Sequence, residues 1–307
     1  MQYYFAPMEG ITTYIYRNLF HKHFKGVDKY FTPFVSPTMH GCFTPRERKD
    51  ILPEHNQGLC VVPQILTNQG NYFVETARQL QEYGYEEVNL NLGCPSNTVV
   101  TKGKGAGFLS EPYRLEKFLD QIFRECSMKI SIKTRIGHYE EEEFEVLLGL
   151  FEKYPLEELI IHPRVQQDYY KHPVRVPVFL NAMENSNLSL CYNGDLYTVD
   201  DERKIKATCP DLERIMFGRG LIGNPMLLEE IRGFGQRENQ RLKKFLDELY
   251  ASYYEEMGNN ALFKMKELWI YMGTLFPEEE KLLKKIKKSR KNKEYLDAVE
   301  QLFYQVK

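Results

Sequence analysis

Eight short apolar runs, at residues 3–6, 30–34, 59–65, 87–92, 129–134, 158–161, 189–192 and 214–217, alternate with longer amphipathic segments along the first three-quarters of the chain. Strand followed by helix followed by strand is a βα repeat, and its sheet must be parallel, because the helix carries the chain back to the starting edge. Segment 67–83 places Phe73, Val74, Ala77 and Leu80 on one helical face with Gly84 as its stop. Segment 111–125 does the same with Leu115, Phe118, Leu119, Ile122 and Phe123, and Pro112 suits its first turn. Eight units predict an α/β fold of the (β/α)8 TIM barrel type, which at about 250 residues nearly fills a chain of this length. After Gly233 the strand signal stops, and 236–257, 261–275 and 278–304 read as helices. The expected organisation is a barrel over 1–233 and a small all-helical domain over 234–307.

The formal net charge of −2 excludes a globally basic nucleic-acid binder, so a polyanion must be met by local patches. The clearest is 281–293, eight lysines and arginines around a narrow seam of Leu282, Leu283 and Ile286. Six cysteines at 42, 60, 94, 126, 191 and 209 form no CxxC pair and no metal-ligand spacing. No metal is expected, and a reducing cytoplasm is the simplest location. Residues 1–7 lack a basic n-region and a long apolar h-region, and no later window approaches membrane length, so neither export nor a membrane partner is expected; the chain is expected to act as a monomer.

Active sites of parallel barrels lie at the C-terminal ends of the strands. Here those ends carry Pro7-Met8-Glu9, Gln64, Asn91 with Cys94, Lys133 with Arg135, His162 with Arg164, Asn193-Gly194-Asp195 and Gly218-Arg219-Gly220. Packing alone does not select so many polar groups, because an unpaired buried polar group costs a few kcal/mol. Gly93 and Pro95 halt regular structure on both sides of Cys94 and present its thiol instead of packing it. The glycines of 193–195 and 218–220 let backbone N–H groups approach an anion, and Arg219 adds a charge-assisted bond, so the loops after strands seven and eight form a plausible phosphate site. Lys133 ends an apolar strand and must find an anion or a ligand.

Ala6-Pro-Met-Glu-Gly-Ile-Thr12, Gln64, Asn89-Leu-Asn-Leu-Gly-Cys-Pro-Ser96, Lys102-Gly-Lys-Gly-Ala106, Lys133-Thr-Arg135, His162-Pro-Arg164, Tyr192-Asn-Gly-Asp195 and Gly218-Arg-Gly220 with Asn224-Pro225 together resemble the tRNA-dihydrouridine synthase family. The resemblance implies an FMN-binding barrel, a helical RNA-binding domain, and NADPH- or NADH-dependent reduction of the C5–C6 bond of uridines in tRNA. It gives Cys94 the role of proton donor to C5 and sets Lys133 and Gln64 beside the flavin, with Pro7, Met8 and Glu9 beneath it and His162 at its border. It assigns ribityl and phosphate contacts to Asn193, Gly194, Asp195, Gly218 and Arg219, and substrate contacts to Asn91, Lys102, Arg135 and Arg164. Two departures concern the subfamily: Lys171 follows Tyr169 and Tyr170 where the family commonly has glycine after tyrosine, and Glu9 stands where a small residue is common. An FMN barrel reductase of small molecules and a tRNA-binding protein without turnover share parts of this pattern. The Gly-Cys-Pro-Ser context and the basic tail speak against the first, and an intact Cys94 and Lys133 against the second.

Overall fold

The computed structural model describes residues 1–306. Its strands are β1 (Gln2–Phe5), β2 (Lys29–Phe31), β3 (Val61–Val62), β4 (Gln64–Ile65), β5 (Glu87–Leu92), β6 (Lys129–Gly137), β7 (Leu159–Val165), β8 (Leu190–Asn193) and β9 (Arg214–Phe217). All pair in parallel, in the order β3-β2-β1-β9-β8-β7-β6-β5-β4. β3 and β4 are two halves of one strand interrupted at Pro63, which has no N–H to give a ladder. The Pro63 carbonyl still accepts from the Asn89 amide at 2.9 Å, so the sheet closes and the fold is a TIM barrel. β6 and β7 run further than their apolar runs suggest, carrying Arg135, His162 and Arg164 inside the strands, with a register shift between Arg135 and Gly137.

Two apolar cores result. The outer one lies between the sheet and the surrounding helices; the inner one contains Tyr4, Ala6, Phe31, Val62, Ile160, Cys191 and Met216. Alternation along a strand separates them, since successive side chains point to opposite faces. At the N-terminal end of the barrel the Lys29 ammonium bonds Glu158 at 2.8 Å and Glu87 at 2.9 Å beneath the ring of Tyr4, 5.1 Å away.

The tail consists of helices Asn239–Met257, Ala261–Met272, Glu280–Lys288 and Asn292–Gln305. The single helix expected over 278–304 is therefore two. Ser289 stops the first by bonding the Ile286 carbonyl with both its amide and its hydroxyl, and Glu294 caps the second by accepting from the amides of Arg290 and Lys291. The break folds the buried Leu283 and Ile286 of the first helix back beside the second, which buries Tyr295, Ala298, Val299, Leu302 and Phe303. Phe245 packs edge-on against Tyr16 and Phe24 at 5.6 and 5.1 Å, so the outer core runs without interruption from the first barrel helix into the tail. Lys264 reaches the barrel mouth, where its ammonium bonds the Gly10 carbonyl at 2.7 Å. Among the described residues no helix is long and apolar enough to cross a membrane.

Removing one partner of a buried ion pair leaves the other charge uncompensated. Lys29→Met, which leaves Glu158, 2% exposed, with only the Arg214 guanidinium at 3.9 Å as an ion-pair partner, should cost about 3 kcal/mol in urea unfolding, whereas Arg78→Met on the surface should cost less than about 0.5 kcal/mol.

Candidate functional site

The turn after β5 is built around the side chain of Asn91. Its Oδ1 accepts from the amides of Gly93 and Cys94 at 3.0 and 2.9 Å, and its Nδ2 donates to Gln64 Oε1 at 2.7 Å. The Lys-Gly-Lys-Gly-Ala turn closes over the other side, where the Ala106 amide donates to the Cys94 carbonyl at 3.0 Å. Gly105 adopts φ +55°, and a Cβ there would lie 2.8 Å from that carbonyl, so glycine is required. Cys94 is left half-buried. Burial raises its thiol above the ordinary value, opposed by a backbone amide at Ser96 and the positive charges of Arg135 and Lys133. The thiol is thus held protonated at neutral pH.

Arg135 joins this turn to the opposite wall. Its side chain is fully buried and donates to the carbonyls of Gly93 at 3.0 Å, Val165 at 2.8 Å and Tyr169 at 2.7 Å. The loop after β7 adds two further ties, Tyr169 Oη to Asn97 Oδ1 at 2.6 Å and Gln166 Nε2 to the Pro95 carbonyl at 3.3 Å. Tyr169 and Asp195 are the two non-glycine residues with positive φ among the described residues, at 49° and 45°, and both sit on mouth loops. Such backbone strain persists where surrounding contacts hold it.

Beside the turn, at the C-terminal ends of β1, β6, β7, β8 and β9, opens a concave cleft walled by polar groups and glycines. Nine of the eleven residues expected at a cofactor line it: Pro7, Met8, Lys133, His162, Asn193, Gly194, Asp195, Gly218 and Arg219. The other two are placed differently. Gln64 lies beneath, 1% exposed and hydrogen-bonded within the barrel, and Glu9 turns outward on the rim toward Arg46, 3.6 Å away. The Arg219 guanidinium lies over the rings of Tyr170 and Tyr197, which no sequence pattern singles out as ligands, at 4.4 and 5.3 Å.

Asp195 binds both arginines of this end, accepting a bidentate pair from Arg164 and one bond from Arg219 at 2.9 Å. Arg164 is 2% exposed and also donates to His162 Nε2 at 3.0 Å. A guanidinium can only donate, so Nε2 accepts and the imidazole proton sits on Nδ1. Burial, with Arg135, Lys133, Arg164 and Arg219 around it, drives His162 far below its usual range and keeps it neutral. Gly220 belongs here for steric reasons, since a Cβ would lie 1.9 Å from the Leu196 carbonyl. Lys102 stands exposed beside Cys94's turn, and Lys104, half-buried, is lowered by burial and by Lys102.

Lys133 faces the cavity without a hydrogen-bond or ion-pair partner among the described residues. Burial, and then Arg135, push its ammonium down from 10.5 to about 8. Four cations, Lys133, Arg135, Arg164 and Arg219, thus meet one carboxylate at Asp195, a balance that suits an anionic ligand. Among the described residues no three His, Cys, Asp or Glu side chains are grouped to hold a metal ion. Between pH 8 and 10.5 the unfolded chain holds a proton on this lysine that the ligand-free folded protein lacks, so stability gains a rising contribution across that window. The difference in unfolding free energy between wild type and Lys133→Met should therefore shift in favour of wild type as pH rises from 8 to 10.5, read by urea titration of ligand-free protein.

The family model for dihydrouridine synthases matches residues 4–306. A probable tRNA-dihydrouridine synthase of Staphylococcus aureus (strain Mu50) is 26% identical over 277 residues, covering 86% of this chain and 80% of that protein. A tRNA-dihydrouridine(16) synthase of Pseudomonas syringae pv. tomato is 27% identical over 248 residues, covering 75% of this chain and 74% of its own length. Among solved structures, morphinone reductase superposes with a TM-score of 0.52 at 12% identity, covering 78% of this chain and 87% of that one. Histamine dehydrogenase from Rhizobium sp. 4-9 gives 0.55 at 11%, covering 80% and 46%. These two likenesses establish the barrel alone. A match spanning barrel, Cys94 turn and helical tail together establishes that the chain belongs to the dihydrouridine synthase family.

Proposed function

We propose that the protein is a tRNA-dihydrouridine synthase that reduces the C5–C6 bond of specific uridines in tRNA, using FMN and NADPH or NADH. The observation that carries this reading is a thiol kept protonated beside a glycine-walled cavity whose lysine has no protein partner. The residues present fit FMN. Arg219 and the glycine loops at Gly194 and Gly218 would receive its phosphate, Asn193 and Asp195 its ribityl chain, and Pro7 and Met8 would lie against the ring. Lys133 would pair with the electron-rich edge of the ring, and the Nδ1–H of neutral His162 offers it a further donor. Bound and reduced, FMN would supply the hydride that adds to C6 of the uracil.

Cys94 then delivers its proton to C5. Its raised pKa keeps the proton available until the base is negatively charged, and the positive charges of Arg135 and Lys133 lower the cost of the thiolate left behind. Arg135 and Asn91, bonded to the backbone on both sides of Gly93, hold the turn while this happens. Neither has to touch the base to matter. Arg164 orients His162 and Asp195 in the same way. A uridine in folded tRNA reaches the mouth only by leaving its stack, so the surrounding phosphates must be gripped. Lys102, and the exposed Lys281, Lys287 and Lys288 of the tail, are the proposed grips, with the helical region as the tRNA-binding domain and the cytoplasm as the location.

Cys94→Ala should retain flavin absorbance and lose about 100-fold or more in dihydrouridine formation, measured by mass spectrometry of the tRNA product; unchanged turnover removes Cys94 as the acid. Replacing Lys281, Lys287 and Lys288 with Gln should weaken tRNA binding and flatten its salt dependence by roughly one unit of slope for each phosphate no longer neutralised, with flavin content unaltered. An unaltered slope would make this face an ordinary solvated one.

A further inference from the structure

Between the ion cluster at the N-terminal end and the polar groups of the mouth, the inner core carries one polar row among apolar side chains. Gln64, Asn89 and Ser131 are register partners on β4, β5 and β6, and their side chains bond laterally: Gln64 Nε2 donates to Asn89 Oδ1 at 2.7 Å, and Asn89 Nδ2 donates to Ser131 Oγ at 2.9 Å. All three are at most 1% exposed. The remaining strands meet this region with Tyr4, Phe31, Val62, Ile160, Cys191 and Met216. Apolar side chains would fill the row without any demand for partners, so its polarity calls for a reason.

The reason lies one step further along. Gln64 Oε1 accepts from Asn91, and Asn91 Oδ1 accepts from the amides of Gly93 and Cys94. Backbone amides only donate, so the oxygen of Asn91 must face the turn and its nitrogen must face Gln64. That choice sets Gln64, and Gln64 sets Asn89. The chain has one polarity from the Cys94 backbone to Ser131, and every amide in it is locked.

We propose that Asn89 is a positioning residue: it fixes the amide of Gln64, which orients Asn91, which places the backbone of Cys94 for proton delivery. This rests on the reading of Cys94 as the acid. Asn89 sits two residues below Asn91 on the same strand and acts on Cys94 only through Gln64 and Asn91.

The test uses the flavin-loaded protein and two readouts. One is the rate of Cys94 alkylation by iodoacetamide without RNA, site-resolved by peptide mass spectrometry; the other is kcat and KM on unmodified tRNA. Asn89→Leu should keep its flavin, alter Cys94 alkylation by about threefold or more, and lower kcat by about tenfold while KM for tRNA stays within about twofold, as displacement of a reacting group dictates. Asn89→Asp should remain within about twofold of wild type in both readouts, because its carboxyl group, kept protonated by burial, can accept from Gln64 through its carbonyl and donate to Ser131 Oγ through its hydroxyl. Asn89→Leu combined with Asn91→Leu should be no worse than Asn91→Leu alone, the sign of one shared chain. Wild-type alkylation and kcat in Asn89→Leu would overturn the proposal, as would equal loss in Asn89→Leu and Asn89→Asp. If Asn89→Leu does not fold, Ser131→Ala takes its place, with the same direction expected and wild-type behaviour overturning it. Altered alkylation in a protein whose wild type forms no dihydrouridine would keep the positioning chain and reject the acid role instead.

Discussion

Closure of a parallel sheet governs everything else in this protein. With every strand running the same way, all C-terminal ends must meet at one mouth, and residues as far apart in the chain as Ala6 and Gly218 become neighbours there. The seam of that closure is the strand broken at Pro63, whose halves pair with β2 on one side and β5 on the other. The half beyond the break begins with Gln64, the residue through which the buried amide row reaches the Cys94 turn.

Electrostatics at the mouth follow from burial combined with an excess of cations. Arg135 and Arg164 are almost wholly enclosed and discharge their hydrogen-bonding capacity on carbonyls, His162 and Asp195. Lys133 has no such outlet, and its ammonium is correspondingly pushed down to about 8. Burial shifts the two other titratable groups in opposite directions: helped by the surrounding cations it keeps His162 unprotonated, and against them it keeps Cys94 protonated. A site with a neutral imidazole, a neutral thiol and an unpaired lysine is prepared for a negatively charged ligand and for giving up one proton.

Much of this was legible in the order of residues. The lengths of β5 and β9 coincide with their apolar runs, and the helix stop at Gly84 has its positive φ of 90°. Most of the cavity wall could be named because polar groups at strand ends have no packing explanation. The inner members were harder to place. Arg135 looks identical in sequence to an arginine that meets a ligand, yet its three carbonyl partners belong to β7, the Cys94 turn and the loop at Tyr169. Tyr170 and Tyr197 carry no local signal at all, since their contact with Arg219 joins loops after three different strands. In the tail, a continuous basic and apolar periodicity suggested one helix. The turn at Ser289 forms because tertiary burial of Leu283 and Ile286 against the following helix outweighs local periodicity.

Local sequence alone determined the βα rhythm, the presentation of Cys94 between glycine and proline, and the set of strand-end groups, because these depend on alternation, backbone freedom and the cost of burying polar atoms. The tertiary structure decided which of those groups face the cavity and which hold others in place. Hydrogen bonds between strands have no signature in the order of residues along any one of them, and only closure of the barrel brings Asn91 to Gln64, Arg135 to Gly93 and Arg219 to Tyr170.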